Sequence, residues 1–406
     1  MNETSRVYLD NAASTPVDPA VIEAMMPFMV DHFGNPSSLH GSGRKASVAI
    51  SKARSQVAKL INANPNEIYF TSGGTESNNL ALVGYAKMVK RHRPDCNKIL
   101  ISEIEHESIL ETVSFLEKDL KFNINFIRTT SDGFIDLNSF GNLLSPETCL
   151  VSVMLVNNEI GTIQPVQSMI NIIKKRQYKT IFHSDGVQAL GKIPIDVRQM
   201  KLDMLSISSH KINGPKGIGA LYIRKGISVE PILYGGGQEM SMRSGTENVY
   251  SIVGFGKACE IWKNRLQEAN LNIKKLQDYT INRIINEIPE SKINGSLQNR
   301  VVNNVNFSFK GINGEDLLVK LDEFGIEVST GSACSSNKKK KESHVLRSLG
   351  LPHDEIAGSI RLSLGYQNTK TEMDFAINVL KNVINEFRNL NWSESSQGSD
   401  IVTSVP

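Results

Sequence analysis

The chain has 406 residues, 40% of them hydrophobic and 21% charged, with 45 Lys and Arg against 42 Asp and Glu and a formal net charge of +3. A chain of this size can bury more than one core, and the composition is that of an ordinary globular protein. The charge is too even to imply nucleic-acid or membrane binding, and no apolar run approaches the roughly 20 residues of a membrane-spanning helix.

The polar start MNETSRVYLDN lacks a hydrophobic signal core, so the expected location is the cytosol. Residues 44–61 carry Ile50, Ala53, Val57, Leu60 and Ile61 at helical spacing. In FTSGGTESNN, glycines that let backbone approach an anion precede Thr75 at a helix start, where free N–H groups bind phosphate. An ordinary capping box with Thr75 as the cap is the competing reading. KILIS, CLVSVMLV, TIFHSD, MLSISS and GALYIR are short apolar runs with polar or glycine borders. Their alternation with helical patterns from about residue 45 to 225 predicts an α/β fold with a mainly parallel sheet covered on both faces.

Two of these strands end on ionisable residues. FHSDGVQ places Asp185 at a strand end, where a carboxylate can keep a pyridine nitrogen protonated, as a pyridoxal phosphate site requires. Gln188, three residues on, can donate to the ring oxygen; a helix N-cap is the plainer role for Asp185. SISSHKINGPKG places Lys211 directly after a buried strand, flanked by Ser208, Ser209 and His210. Lost hydration there lowers a lysine's pKa and frees the neutral amine that a Schiff base needs, while the hydroxyls and imidazole can hold a phosphate. A surface lysine in a loop is the alternative.

Past residue 260 the pattern becomes a smaller α+β unit. A long helix over about 256–288 is followed by the strand RVVNNVNFSF, then INGEDLLVKLDEFGIEVS as helix and strand. A last helix begins near Thr371 with a capping box to Asp374 and shows Ile377, Leu380, Ile384 and Phe387 on one face. The tail WSESSQGSDIVTSVP is polar and is expected to be disordered.

Of the four cysteines, Cys96, Cys149, Cys259 and Cys334, none forms a C-x-x-C pair, which argues against zinc and disulfide frameworks. Cys149 and Cys259 sit in core-like runs and Cys96 in a loop. Cys334, in STGSACSSN, has no packing explanation. G-x-x-x-x-G-K-[ST], H-E-x-x-H and G-x-S-x-G are all missing.

With VYLDNAASTPVDP, GNPSSLHG, TSGGTESNN, EHES, VNNEIG, HSDGVQ, SSHKINGPKGIGALY, RSGTENV, STGSACSS and SIRLSLGYQNT in this order, the chain resembles the group I, NifS/IscS-like cysteine desulfurases over about residues 7 to 390. The resemblance implies a fold-type I pyridoxal phosphate enzyme of the class-V aminotransferase superfamily. It implies a large domain over 15–261 built on a mainly parallel seven-stranded sheet between helices. A smaller α+β domain from 1–14 and 262–390 would carry the mobile Cys334 loop, with 391–406 as the polar tail. Lys211 would hold the coenzyme as a Schiff base and move the α-proton. Asp185 would pair with the pyridinium, and Gln188 with the ring oxygen. Gly74, Thr75, Ser208 and His210 would contact phosphate and cofactor, and His106 would stack on the ring and assist proton transfer. Asn158 and Arg361 would fix the substrate carboxylate, Asn158 also touching the cofactor, with Asn35 a further substrate-side position. Thr246 would reach the phosphate of the other subunit of a homodimer. Cys334 would take the sulfur of L-cysteine as a persulfide, leaving alanine, and pass it to acceptor proteins such as an iron–sulfur scaffold or a transfer-RNA thiolation partner. The enzyme would hold no metal of its own, Cys334 touching a scaffold's cluster only in passing.

Lys338 to Lys341 depart from the acidic or apolar stretch expected there. They read as a solvated surface run, with a contact for an acidic partner or transfer RNA as the competing reading; direct nucleic-acid binding is not the expectation. An aminotransferase or selenocysteine lyase of the same fold would leave Cys334 without a task. A non-catalytic binding protein would not need Lys211, Asp185, His106, Arg361 and Cys334 together.

Overall fold

A computed structural model of the chain describes residues 6–330 and 342–397, the last seven as backbone only. Cys334, Lys338–Lys341 and the end of the tail therefore lie outside the described residues.

After β1 (Val7–Tyr8), the chain forms α1 (Pro19–Val30), α2 (Gly41–Leu60), β2 (Ile68–Thr71), α3 (Gly74–His92), β3 (Lys98–Ser102), α4 (Glu107–Lys118) and β4 (Asn123–Ile127). Then come α5 (Leu137–Leu143), β5 (Thr148–Ser152), α6 (Val166–Lys175), β6 (Ile181–Asp185), α7 (Val197–Met200), β7 (Met204–Ser208) and β8 (Gly219–Ile223). These build a seven-stranded sheet in the order β2-β8-β7-β6-β5-β3-β4. Pairing from β4 to β7 is parallel throughout. β8, read from GALYIR, runs antiparallel to both β7 and β2, because the link from Ser208 to Gly219 is too short for a crossover helix. β4 is an edge strand whose half-exposed, mixed pattern hid it in the sequence.

Alternate residues of each strand face opposite layers. Ile99, Ile101, Met204 and Leu221 pack with Leu80 and Tyr85 of α3 and Ile109 of α4. Leu100, Leu205, Ile207 and Tyr222 join Val57 of α2, Ile170 of α6 and Phe255 in the other core. The sheet is thereby buried on both faces, as the apolar runs predict.

α8 (Val249–Glu287) has 39 residues and, at about 1.5 Å per residue, spans nearly 60 Å. It packs on α1 and α2 and then on β9 (Ser291–Ile293) and β10 (Asn304–Phe309). After α9 (Gly314–Glu323), β11 (Ile326–Glu327), α10 (His344–Ser348) and α11 (His353–Ala357), β12 (Ser359–Ser363) completes an antiparallel sheet of order β12-β10-β9, and α12 (Lys370–Gln397) ends the described chain. β1 pairs in parallel with β11, Val7 opposite Ile326, so residues near the chain's start lie against its last third.

Two expectations need correction here. The capping box of α12 is Thr369 with Glu372, each bonding the other's backbone N–H, rather than Thr371 with Asp374. Asp374 is taken by Tyr279 and Arg283 of α8. α12 also continues through residues 391–397, which were expected to be disordered tail.

Before α8 the chain makes an unusual turn. Glu239, Met240 and Ser241 all take left-handed backbone, with φ of 48°, 57° and 66°, a conformation costly for non-glycine residues. The buried Glu239 carboxylate holds it, receiving both ends of the Arg54 guanidinium at 2.6 and 2.7 Å and the Phe70 N–H at 2.8 Å.

Candidate active site

In parallel α/β sheets, ligands sit outside the carboxyl ends of the strands. Asp185 closes β6 and Ser208 closes β7. A cavity of about 240 Å³ opens there, lined by Gly74, Thr75, His106, Asn158, Asp185, Gln188, Ser208, His210, Lys211 and Arg361, with Ala12, Ala13, Asn78 and Ser108. Most residues singled out in the sequence thus converge. Asn35 and Thr246 do not line it: both are exposed, and the Asn35 Oδ1 accepts the Ser37 N–H in its own turn. Cys334 lies outside the described residues.

Lys211 ends a short 3₁₀ turn after β7. Its Nζ donates to the carbonyls of Ala12 at 2.6 Å and Ala13 at 2.7 Å, so the N-terminal segment LDNAAS, noted only for its resemblance, places the amine. The turn needs Gly214, since a Cβ there would lie 2.0 Å from Ser209 Oγ. His210 lies 3.2 Å from Ser14 Oγ through Nδ1. Burial, with the charges of Lys211, Lys192 and Lys216, lowers its pKa to about 4 and keeps it neutral near pH 7.

Asp185 accepts the Val187 N–H at Oδ1 (2.9 Å) and Asn78 Nδ2 at Oδ2 (2.8 Å). Asn78 Nδ2 also donates to Ser108 Oγ at 2.9 Å, and Ser108 Oγ lies 2.8 Å from His106 Nδ1. Neither Asn78 nor Ser108 was singled out in the sequence, although TESNN and EHES contain them. His106 caps α4, its Nδ1 accepting the Ser108 N–H at 3.1 Å; the neutral ring therefore carries its proton on Nε2.

α3 opens differently. Its N-cap is Gly73, which supplies no side chain, and Thr75 lies inside the first turn. The capping-box reading of Thr75 is therefore not adopted, and the first-turn N–H groups have no side-chain cap. On the far wall, Arg361 is buried. Its Nη2 donates to Asp10 Oδ1 at 2.8 Å and its Nη1 to the Asn158 carbonyl at 2.9 Å, while Nε has no hydrogen-bond partner among the described residues. Asp10 is another residue that the motifs did not single out.

Beneath the floor lie two carboxyls. Burial first, and the Asp185 charge, raise the pKa of Glu105 to about 8 against bonds from Ser102 Oγ and the Met154 N–H. Burial likewise raises Glu159 to about 7, although Ser343 Oγ lies 2.5 Å from its Oε2.

A larger cleft, about 700 Å³, lies elsewhere and gathers Arg93, Lys174, Lys201 and Arg224. Arg93, Lys174 and Lys201 stand at the C-terminal ends of α3, α6 and α7, where cations complement free carbonyls. Cys149 and Cys259 are buried, as their runs implied, and burial raises the pKa of the Cys149 thiol to about 12. Among the described residues no cluster of His, Cys, Asp or Glu could hold a metal, and no helix is long and apolar enough to cross a membrane.

The fold and this cavity define a class. The family model described as Aminotransferase class-V matches residues 7–375, and the chain belongs to that family. The relatives it matches nearly end to end are cysteine desulfurases. Cysteine desulfurase IscS of Methanosarcina thermophila is 44% identical over 388 residues, 96% of this chain and 94% of that protein. A solved NifS-like protein superposes with a TM-score of 0.87 at 38% identity, covering 94% of this chain and 99% of its own. SspA, solved in complex with cysteine, gives 0.77 at 36% identity, over 89% and 99%.

The family depends on pyridoxal phosphate, and the residues present fit that group. An amine, a buried carboxylate whose partners are neutral amides, and a helix start without a side-chain cap suit its aldehyde, ring nitrogen and phosphate in turn. The buried Asn78 Oδ1 in the same wall has no hydrogen-bond partner among the described residues.

Proposed function

We propose that the chain is a pyridoxal phosphate-dependent L-cysteine desulfurase that moves the sulfur of cysteine onto Cys334 as a persulfide and releases alanine. The observation that carries this reading is the convergence of Lys211, Asp185, His106 and Arg361 on one cavity. A solved relative binds cysteine. When bound, pyridoxal phosphate supplies an electron-withdrawing ring that makes the bonds around the substrate's α-carbon labile.

The protein supplies the rest. Lys211 Nζ, held near the Ala12 and Ala13 carbonyls, secures the coenzyme and carries a proton to and from the substrate α-carbon. Asp185 keeps the ring nitrogen protonated, Gln188 donates to the ring oxygen, and Gly74, Thr75, Ser208 and His210 receive the phosphate. Arg361, oriented by Asp10, takes the substrate carboxylate as a fork, with Asn158 beside it and Asn35 further out. His106 faces the ring and presents Nε2–H; to accept the Cys334 thiol proton it must use Nδ1 and release the Ser108 amide.

The wider reading belongs to this proposal. Residues 15–261 form the large domain, and 1–14 with 262–390 the small one. A second copy completes the site with Thr246: Phe33, Leu39 and Tyr234 are 79%, 90% and 70% exposed in the single chain, more apolar surface than a lone subunit needs to show. The protein works in the cytoplasm and passes sulfur to acceptor proteins, an iron–sulfur scaffold or a transfer-RNA thiolation partner.

The test starts from the purified holoenzyme. Borohydride should fix the coenzyme to the peptide containing Lys211, and cysteine should yield equal alanine and sulfide in the presence of a thiol reductant. Cys334→Ala should keep the fixed colour and lose at least a hundredfold of the sulfide yield. Wild-type protein that releases no alanine from cysteine ends the proposal.

A further inference from the structure

Lys192 is a second lysine in this region, more deeply buried than Lys211, and no role above uses it. It follows Gly191 in the turn after β6 and is 8% exposed. Its Nζ donates to Gln188 Oε1 at 3.0 Å, its N–H bonds the Ala189 carbonyl, and its carbonyl receives Asn270 Nδ2 of α8 at 2.7 Å. No carboxylate pairs with it among the described ion pairs. With Lys211 it lines a small cavity bounded also by Asn11, Asn213 and Trp262.

Burying an ammonium without a counter-ion is costly, so the position calls for an explanation. The bond to Gln188 supplies one. A lysine ammonium has only donors, so it fixes which end of the Gln188 amide it meets. Oε1 turns to Lys192, and Nε2 turns to the Ala12 carbonyl at 2.9 Å, the same carbonyl that receives Lys211 Nζ at 2.6 Å. Nε2 has a second N–H to offer the cavity that Gln188 lines.

We propose that Lys192 is a positioning residue: it locks Gln188 as a hydrogen-bond donor toward the coenzyme site and places a positive group behind Lys211. The inference rests on the coenzyme reading given above. The charged groups acting on Lys192 are Lys211 and Arg361, both positive; of the other polar groups packed nearby, Asn11, Asn213, Asn270 and Gln188 are neutral amides, and Tyr366 is a phenol. Burial first, then these two charges, lower the Lys192 pKa to about 7. The ammonium can only donate to Gln188, whereas the neutral amine has a lone pair that also accepts, so the lock holds while Lys192 is charged.

The consequence is a direction. Removing the positive group makes any protonated nitrogen beside it easier to keep, and freeing Gln188 to rotate removes a donor from an anionic ring oxygen. Both raise the pH midpoint at which the holoenzyme's visible absorbance changes. Lys192→Met should move that midpoint up by about one pH unit, and Lys192→Arg, which keeps donor and charge, should leave it within a few tenths. In a Gln188→Ala background, Lys192→Met should shift the midpoint by less than half as much. An unchanged midpoint in Lys192→Met, or an undiminished shift in the Gln188→Ala background, overturns the proposal. If Lys192→Met does not retain coenzyme, the Lys192→Arg and Gln188→Ala midpoints decide it: an upward shift in the first, or none in the second, counts against the lock. Borohydride fixing of wild-type Lys211 separately tests the coenzyme reading, so the two failures remain distinct.

Discussion

Arg361 shows how little freedom one side chain of this site retains. Its guanidinium is buried, with one arm on the Asp10 carboxylate and one on the Asn158 carbonyl. In the proposed mechanism a substrate carboxylate shares this fork, and Asp10 sets its angle. Asp10→Ala should raise KM for cysteine about tenfold or more with a smaller loss in kcat, because leaving a buried charge unpaired disturbs binding first. Steady-state kinetics on the coloured variant checks it; an unchanged KM removes Asp10 from substrate binding. Glu105 carries a second prediction. It is protonated in the folded chain up to about pH 8 but ionised in the unfolded chain above about pH 4.5. Its folded pKa is raised, so the native state holds the extra proton, and Glu105 takes stability away as pH rises through that window. Glu105→Gln cannot ionise, so its melting temperature should gain on that of the wild type from about pH 4.5 to 8 and then level off. Parallel curves across that range would place the Glu105 pKa elsewhere.

Among elements, the crossing of α2 and α8 is a tight constraint. A Cβ on Gly256 would lie 2.6 Å from Ala53 Cα and 2.7 Å from Ala53 Cβ. Alanine favours a helix over glycine by about 1 kcal/mol, but here two backbones would have to part. Gly256→Ala should therefore destabilise the protein by about 1–3 kcal/mol, measured by denaturant unfolding; a more stable variant would show that the crossing can yield. The sequence made the central strands β3 and β5 to β8, the long helix and the strand-end pair Asp185 and Lys211 legible, because apolar periodicity and residue type are local signals. It did not single out Asp10, Ala12, Asn78 or Ser108. Asp10 and Ala12 act across 351 and 199 residues of chain, and Ala12 acts only through its carbonyl. The α12 cap was misplaced by two residues because TKTEMD contains two overlapping boxes, and the neighbour that claims Asp374 belongs to α8.

On the scale of the whole molecule, residues near both ends of the chain meet around the site: β1 lies beside β11, and Asp10 reaches Arg361 of β12. The cavity therefore depends on nearly the full length of the polypeptide, and a chain still being synthesised cannot close it. The left-handed turn at Glu239–Ser241 leads to a different conclusion. Its shape is set within the single chain by Arg54 and the Phe70 amide, so the turn leading to Thr246 needs no second copy to take its form. Under the dimer proposed above, that turn would have little freedom left to surrender, and the encounter of two copies would resemble the docking of finished parts more than a mutual folding.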